Sequence, residues 1–212
     1  MYWYIRGFDI GWYLLNKKKS RFSKFIINYR RIISCYKYNF LELLSTRINI
    51  FEKLLMNWRK PVFLNEIKLA NIVENDKVLL IGCGIFPSEA MLIADQTKAN
   101  VVCIDNSINA VNIAKKIVEK KGLSELVKIE YADGINYSVG DFDVIFIAIN
   151  VWPIDLVFRN LSKNIKINTR VLCKSLKNDI LDVLENEELL ESFRLESKLE
   201  NPKTQSFLLI KK

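Results

Sequence analysis

The residues best able to do chemistry begin with "IGCGIFPSE", residues 81–89. A glycine, a free position and a second glycine follow the apolar run "KVLLI". A turn of this kind lets a ligand approach the backbone closely. Dinucleotide-binding turns place a third glycine three residues further on, for tight helix packing against a pyrophosphate. Here Pro87 occupies that place, with Phe86 beside it. The ring removes an N–H donor and adds bulk, which argues against a diphosphate ligand.

Two acids continue the series. Asp105, followed by Asn106, ends the next apolar run, "NVVCID". A carboxylate there accepts hydrogen bonds from ribose hydroxyls. Asp133, followed by Gly134, ends the run after that, "VKIEYAD". An acid at that place can accept from the exocyclic amine of an adenine. Taken singly, Asp105 could be a solvated strand end and Asp133 a turn former. Taken in order, they describe a site for an adenosine without phosphates. S-adenosylmethionine (SAM) fits, with its amino-acid tail over Gly82, Cys83 and Gly84, and with Phe86, Asn106 and Gly134 adjoining.

Candidates for catalysis are fewer. The chain has no histidine, which removes His-based dyads, triads and imidazole metal ligands, and no metal site is read. A general base must be Asp, Glu, Tyr, Lys or Cys. Glu42 and Glu52 stand out because residues 1–60 hold 13 Lys/Arg against 3 Asp/Glu. They are candidate proton acceptors or ordinary helix-surface salt-bridge partners. Asn150 ends "FDVIFIAIN"; its side-chain carbonyl could orient an amine acceptor, or it closes the strand as a turn residue. Trp152 and Pro153 offer an acceptor wall or simple packing. Glu89 falls in a first helical turn, where it complements the helix dipole. Four cysteines, at 35, 83, 103 and 173, form no CxxC pair and read as buried reduced thiols.

The elements that must position these residues come in two blocks. Residues 61–212 hold 19 Lys/Arg against 21 Asp/Glu, so charge divides the chain as well. In the basic block, "SRFSKFIINYRRIISCY" and "FLELLSTRINIFEKLLMNW" carry apolar residues at spacings of three and four, which predicts helices. Strand signals are few, and Pro61 should close this unit, with a linking helix near "LNEIKLANIV". From Lys77 strands alternate with helices, including "PSEAMLIADQTK", "SINAVNIAKKIVEKKG" with Ser107 as N-cap and Gly122 at C′, "IDLVFRNLSKN" and "NDILDVLENEELLESF". The end, "FRLESKLENPKTQSFLLIKK", reads as a hairpin, so the last strand enters antiparallel.

From residue 77 onward the chain resembles the class I SAM-dependent methyltransferases. "IGCGIFPSEAMLIA" is most similar to the nicotianamine synthase-like branch, which has proline in the same place after the glycines. The resemblance implies a seven-stranded Rossmann-like α/β sheet with an antiparallel last strand and a helical N-terminal domain. It also implies transfer of the aminocarboxypropyl arm of SAM, with a catalytic acid in the helical domain, Glu42 or Glu52. The chain departs from that branch at "FPSE", where the family usually has proline-leucine-threonine, and at Lys174–Ser175, usually arginine followed by a small hydroxyl residue.

The reading is therefore a helical lid domain over residues 1–75 and a Rossmann-like SAM-binding domain over 76–212. The first expectation is methyl transfer to a small molecule. The alternatives are an aminocarboxypropyl transferase making a metal chelator, and a non-catalytic RNA- or membrane-binding protein. The basic aromatic N-terminus keeps nucleic acid in view, though a lid with a solvated basic face is preferred and no RNA-module signature is seen. No apolar run reaches the eighteen or so residues of a membrane span. No signal-peptide layout is seen, so a cytoplasmic protein, with a homodimer in prospect, is expected.

Overall fold

The computed structural model describes residues 4–6, 42–44, 46, 48–176, 191–201 and 204–212. The helix expected over "SRFSKFIINYRRIISCY" and most of the one expected over "NDILDVLENEELLESF" lie outside these residues, as do Phe40 and Cys35.

The described elements, in chain order, are β1 (Tyr4–Arg6), α1 (Asn49–Leu69), β2 (Lys77–Ile81), α2 (Ser88–Thr97), β3 (Asn100–Asp105) and α3 (Ile108–Lys120). They continue with β4 (Val127–Tyr131), β5 (Val144–Ile147), α4 (Ile154–Asn164), β6 (Arg170–Leu176), β7 (Phe193–Glu200) and β8 (Thr204–Lys211). All strands join one sheet in the order β1-β7-β8-β6-β5-β2-β3-β4. Strands β2 to β6 pair parallel, and β8 runs antiparallel to both β6 and β7. The expected terminal hairpin and antiparallel last strand are present.

Alternation in β2 explains the layering. Val78 and Leu80 point to a core shared with α1, α2 and α3, while Leu79 and Ile81 point to one shared with α4. A strand covered on both faces must be apolar throughout, and "VLLI" is. Helix α3 is capped as its sequence implies: Ser107 Oγ accepts from Ala110 N–H at 3.3 Å, and Gly122 follows the helix at φ +67°.

Two expectations about the N-terminal block are corrected. Pro61 does not close a helix; α1 runs through it to Leu69. A mid-helix proline leaves the carbonyl of residue i−4, here Asn57, without its helical donor. Pro61 is exposed, so water can supply that donor, while burial of Leu55, Phe63 and Ile67 in the core beside β2 holds the helix together. The block also contributes a strand: β1 pairs antiparallel with the edge strand β7, Tyr4 opposite Leu199. Among the described residues it makes the sheet eight-stranded. Three residues are too few for alternation to reveal a strand.

Candidate active site

In open parallel sheets, ligands bind at the carboxyl ends of the strands where strand order reverses. Here the chain runs from β2 outward through β3 and β4, then returns to place β5 and β6 on the other side. The carboxyl ends of these strands border a cavity of about 580 Å³. Gly82, Cys83, Gly84, Phe86, Asp105, Asn106, Asp133 and Gly134 all line it, as does Asn150. Of the two N-terminal acids, Glu42 lines it and Glu52 does not.

The glycine turn has the shape that side chains forbid. Gly82 and Gly84 take φ of +83° and +68°. A Cβ on Gly82 would meet Val151 Cγ2 at 2.7 Å, and one on Gly84 would meet Glu42 Oε2 at 2.8 Å. Pro87 sits in the N-cap position of α2, so its missing N–H interrupts no helical bond. The turn is fastened to β3 by Asp105: Oδ2 accepts from Gly84 N–H at 2.9 Å and Oδ1 from Ser107 N–H at 2.9 Å. An ionised carboxylate has about four lone-pair sites, so capacity remains for a ligand's hydroxyls.

Asp133 is exposed, and its Oδ1 accepts from Ile135 N–H at 3.0 Å. It therefore does form the turn, while still lining the cavity. Gly134 is required by packing, since a Cβ there would lie 2.7 Å from Ile81 Cγ2. Asn150 Oδ1 is buried and, among the described residues, has no hydrogen-bond partner. Buried polar atoms are rarely left so, and this one borders the cavity. Trp152 lines it too, with 58% of its surface exposed. Cys83 and Cys103 are free and buried. Burial pushes the Cys103 thiol well above its ordinary value, and Cys83 beside it adds to the effect.

Glu42 lies in a helical turn ahead of α1 and is only 8% exposed. Arg59 Nη1 donates to Glu42 Oε1 at 3.1 Å. Burial raises the Glu42 pKa above its ordinary value; Arg59 and the backbone N–H groups of Phe86 and Ile85 oppose this without cancelling it. A carboxylate so placed holds a proton more readily than one in water. Glu52, by contrast, pairs with Lys121 at the surface.

The sequence reading misses a second charged cluster. Lys174 Nζ lies 2.8 Å from Glu66 Oε2 and 2.6 Å from Glu89 Oε1. Ser206 Oγ donates to Glu66 Oε1 at 2.5 Å. All three charged residues line the cavity. Glu89 therefore does not simply face solvent at a helix start. It turns inward because Lys174, from the middle of a buried strand, needs acidic partners. Burial pushes the Glu89 pKa up to about 7, with Lys174 opposing and Glu66 adding to the rise. Burial pulls Lys174 down, but Glu66 and Glu89 outweigh it, leaving its pKa raised. The available sequence signal was the lysine itself, a charge inside "RVLCKSL", which demands a carboxylate without saying which one.

Comparison with known proteins agrees with this architecture. A family described as "Methyltransferase small domain" matches residues 58–150. The crystal structure of MtNAS in complex with MTA and tNA superposes with a TM-score of 0.73 at 17% identity, covering 98% of this chain and 82% of that one. A variant of MtNAS in complex with S-adenosylmethionine gives 0.72 at 17% identity, covering 97% and 84%. An RNA methyltransferase from Salinibacter ruber with S-adenosyl-L-homocysteine gives 0.59 at 17%, covering 72% and 92%. A stretch of 63 residues, 30% of this chain, is 36% identical to L-histidine 2-aminobutanoyltransferase of Yersinia pestis and spans 24% of that relative. This chain therefore shares its fold with these solved structures and, over residues 58–150, is similar to the methyltransferase small domain family.

Proposed function

We propose that this protein is a SAM-dependent transferase that moves the aminocarboxypropyl arm to an amine nitrogen of a small molecule. The observation that carries this reading is Glu42, a carboxylate from ahead of α1 that is buried in the cavity wall against the glycine turn. In the branch the sequence resembles, the catalytic acid comes from the helical segment, and of the two candidates only Glu42 lines the cavity. The superposition on MtNAS extends over nearly the whole chain, which also supports the reading.

The residues present suit SAM. Gly82 and Gly84, both at positive φ, hold the turn against Val151 and Glu42 at the cavity wall, and no phosphate-binding third glycine is needed. When bound, SAM supplies an electrophilic carbon beside its sulfonium, in the methyl group or at the γ-carbon of the amino-acid arm. Asp105 would accept from sugar hydroxyls with the lone pairs its two backbone bonds leave free. Asp133 would lie at the base, with Phe86, Cys83, Asn106 and Gly134 adjoining. Asn150 Oδ1 would accept an N–H of the acceptor and aim its lone pair, a matter of positioning. Glu42 would take the proton released as the nitrogen gains its new bond to carbon.

Residues 1–75 would then act as a lid on the domain formed by 76–212; α1, which contributes Arg59, Phe63 and Glu66 to the cavity wall, supports this. Buried free thiols at Cys83 and Cys103 suit a reducing, cytoplasmic setting. Among the described residues, no helix is long and apolar enough to cross a membrane.

Methyl transfer to a small molecule is the second reading, favoured by the family match over 58–150. The two separate by product. Incubation with SAM and a small-molecule cell extract should release methylthioadenosine. Release of S-adenosylhomocysteine would transfer the case to methylation. A failure to bind SAM would end both.

A further inference from the structure

The cavity wall formed by α1, α2, β6 and the β7–β8 turn carries charges that the proposed transfer step does not use. Glu66 is 1% exposed, Glu89 is buried beside it, and Lys174 between them is partly buried. Two carboxylates share a single ammonium. With all three ionised, one negative charge is left without a counter-charge in a buried place, an arrangement that is costly unless something completes it.

A second observation points to what completes it. Asn201, in the β7–β8 turn, is 6% exposed and lines the same cavity. Its Nδ2 donates to Thr204 Oγ1 at 3.5 Å, while its Oδ1 has no hydrogen-bond partner among the described residues. Register relates this turn to the cluster. Lys174 pairs with Ser206 and Leu176 with Thr204, so Thr204 follows Ser206 along one face. Asn150 Oδ1, on the β5 side of the cavity, is unpartnered as well. The unsatisfied groups are thus acceptors, and the unbalanced charge is negative. A ligand that fits both must bring N–H donors and positive charge.

We propose that Glu66, Glu89 and Asn201 form a subsite for a cationic amine of the acceptor, a primary or secondary ammonium group. Lys174 holds the two carboxylates apart and in place. The proposal rests on the reading of the protein as a SAM-dependent transferase, and it names the substrate class. An anionic acceptor would add to the negative charge of the two carboxylates, and a neutral one would leave that charge in place, so the site favours the cation over both.

The test uses the full chain. SAM affinity is measured first by calorimetry; absence of binding overturns the transferase reading itself. Calorimetry in the presence of S-adenosylhomocysteine then compares α-amino acids and 1,3-diaminopropane with their N-acetylated counterparts. At least one amine should bind about tenfold or more tightly than its acetylated form, the scale of a lost hydrogen bond to a charged group. E89Q should abolish that preference while leaving SAM affinity within about twofold. SAM binding with no amine preference, or a preference that survives in E89Q, overturns the subsite alone. Should E89Q fail to melt cooperatively, N201A decides: amine affinity should fall about fivefold with SAM affinity kept, and no change overturns the proposal.

Discussion

Gly84 N–H donates to Asp105 Oδ2 across 2.9 Å, so the glycine turn after β2 is tied to the end of β3. The second carboxylate oxygen takes Ser107 N–H at the same distance. One side chain thus fixes the turn, starts α3 and lines the cavity. Asp105→Ala should weaken SAM binding at least tenfold, since hydrogen bonds to a charged group are each worth about 1.5–3 kcal/mol. Asp105→Asn keeps one acceptor oxygen and should fall between. Calorimetry gives the answer, and equal affinity in wild type and D105A would remove Asp105 from the site.

Gly84→Ala tests the contact with Glu42. The added methyl faces Glu42 Oε2 at 2.8 Å, and the backbone there is left-handed. That conformation costs an L-residue about 1–2 kcal/mol. Gly122→Ala carries the same backbone cost at φ +67° but meets nothing within 4 Å. The two variants should melt alike, while only G84A loses most of its turnover. Similar turnover in both would show that Glu42 need not hold its place.

Glu42→Gln should lower kcat about a hundredfold or more, the usual contribution of a general base, with SAM affinity nearly unchanged. Glu52→Gln breaks only a surface pair with Lys121 and should alter stability by less than about 1 kcal/mol, with kcat unaffected. The pH profile adds a sign. Burial raises the Glu42 pKa, so the ionised base appears at higher pH than for a solvated glutamate. Turnover should rise through that raised pKa, and the rising limb should vanish in E42Q.

Glu89 predicts how stability varies with pH. Its folded pKa, about 7, lies above the ordinary 4.5. The folded state therefore binds the proton more tightly than the unfolded chain. The stability this provides is complete below about 4.5 and is lost as pH rises through 7, after which the contribution is flat. The charged groups facing Glu89 are Glu66 from α1 and Lys174 from β6, with the Cys103 thiol on β3 also coupled to it. Glu89→Gln should flatten the melting temperature between pH 5 and 8. Lys174→Ala should be worse by far, about 3–5 kcal/mol, because it strands two buried carboxylates. Melting curves across pH for both variants check this; an unchanged slope in E89Q would refute the assignment.

The alternation of strands and helices from Lys77, the terminal hairpin around Pro202 and the caps of α3 were legible because each is local. Apolar period, turn residues and N-cap hydroxyls act over a few neighbours. The ordered series Gly82, Gly84, Asp105 and Asp133 was legible for a related reason: parallel strands joined by crossovers bring successive strand ends to one edge, so order along the chain becomes proximity. Glu42 and Glu52 look alike in sequence, ten residues apart in one basic block. Only the fold turns Glu42, ahead of α1, to the glycine turn and Glu52, on α1, to Lys121. The same limit hid Glu66, Glu89 and Lys174. Their attraction acts through space between a helix, a helix start and a strand, and the fold alone makes them neighbours. Sequence determined which strand ends meet at the crevice, because periodicity and connection rules are local. Tertiary packing decided which charges face it, because burial and pairing depend on elements far apart in the chain.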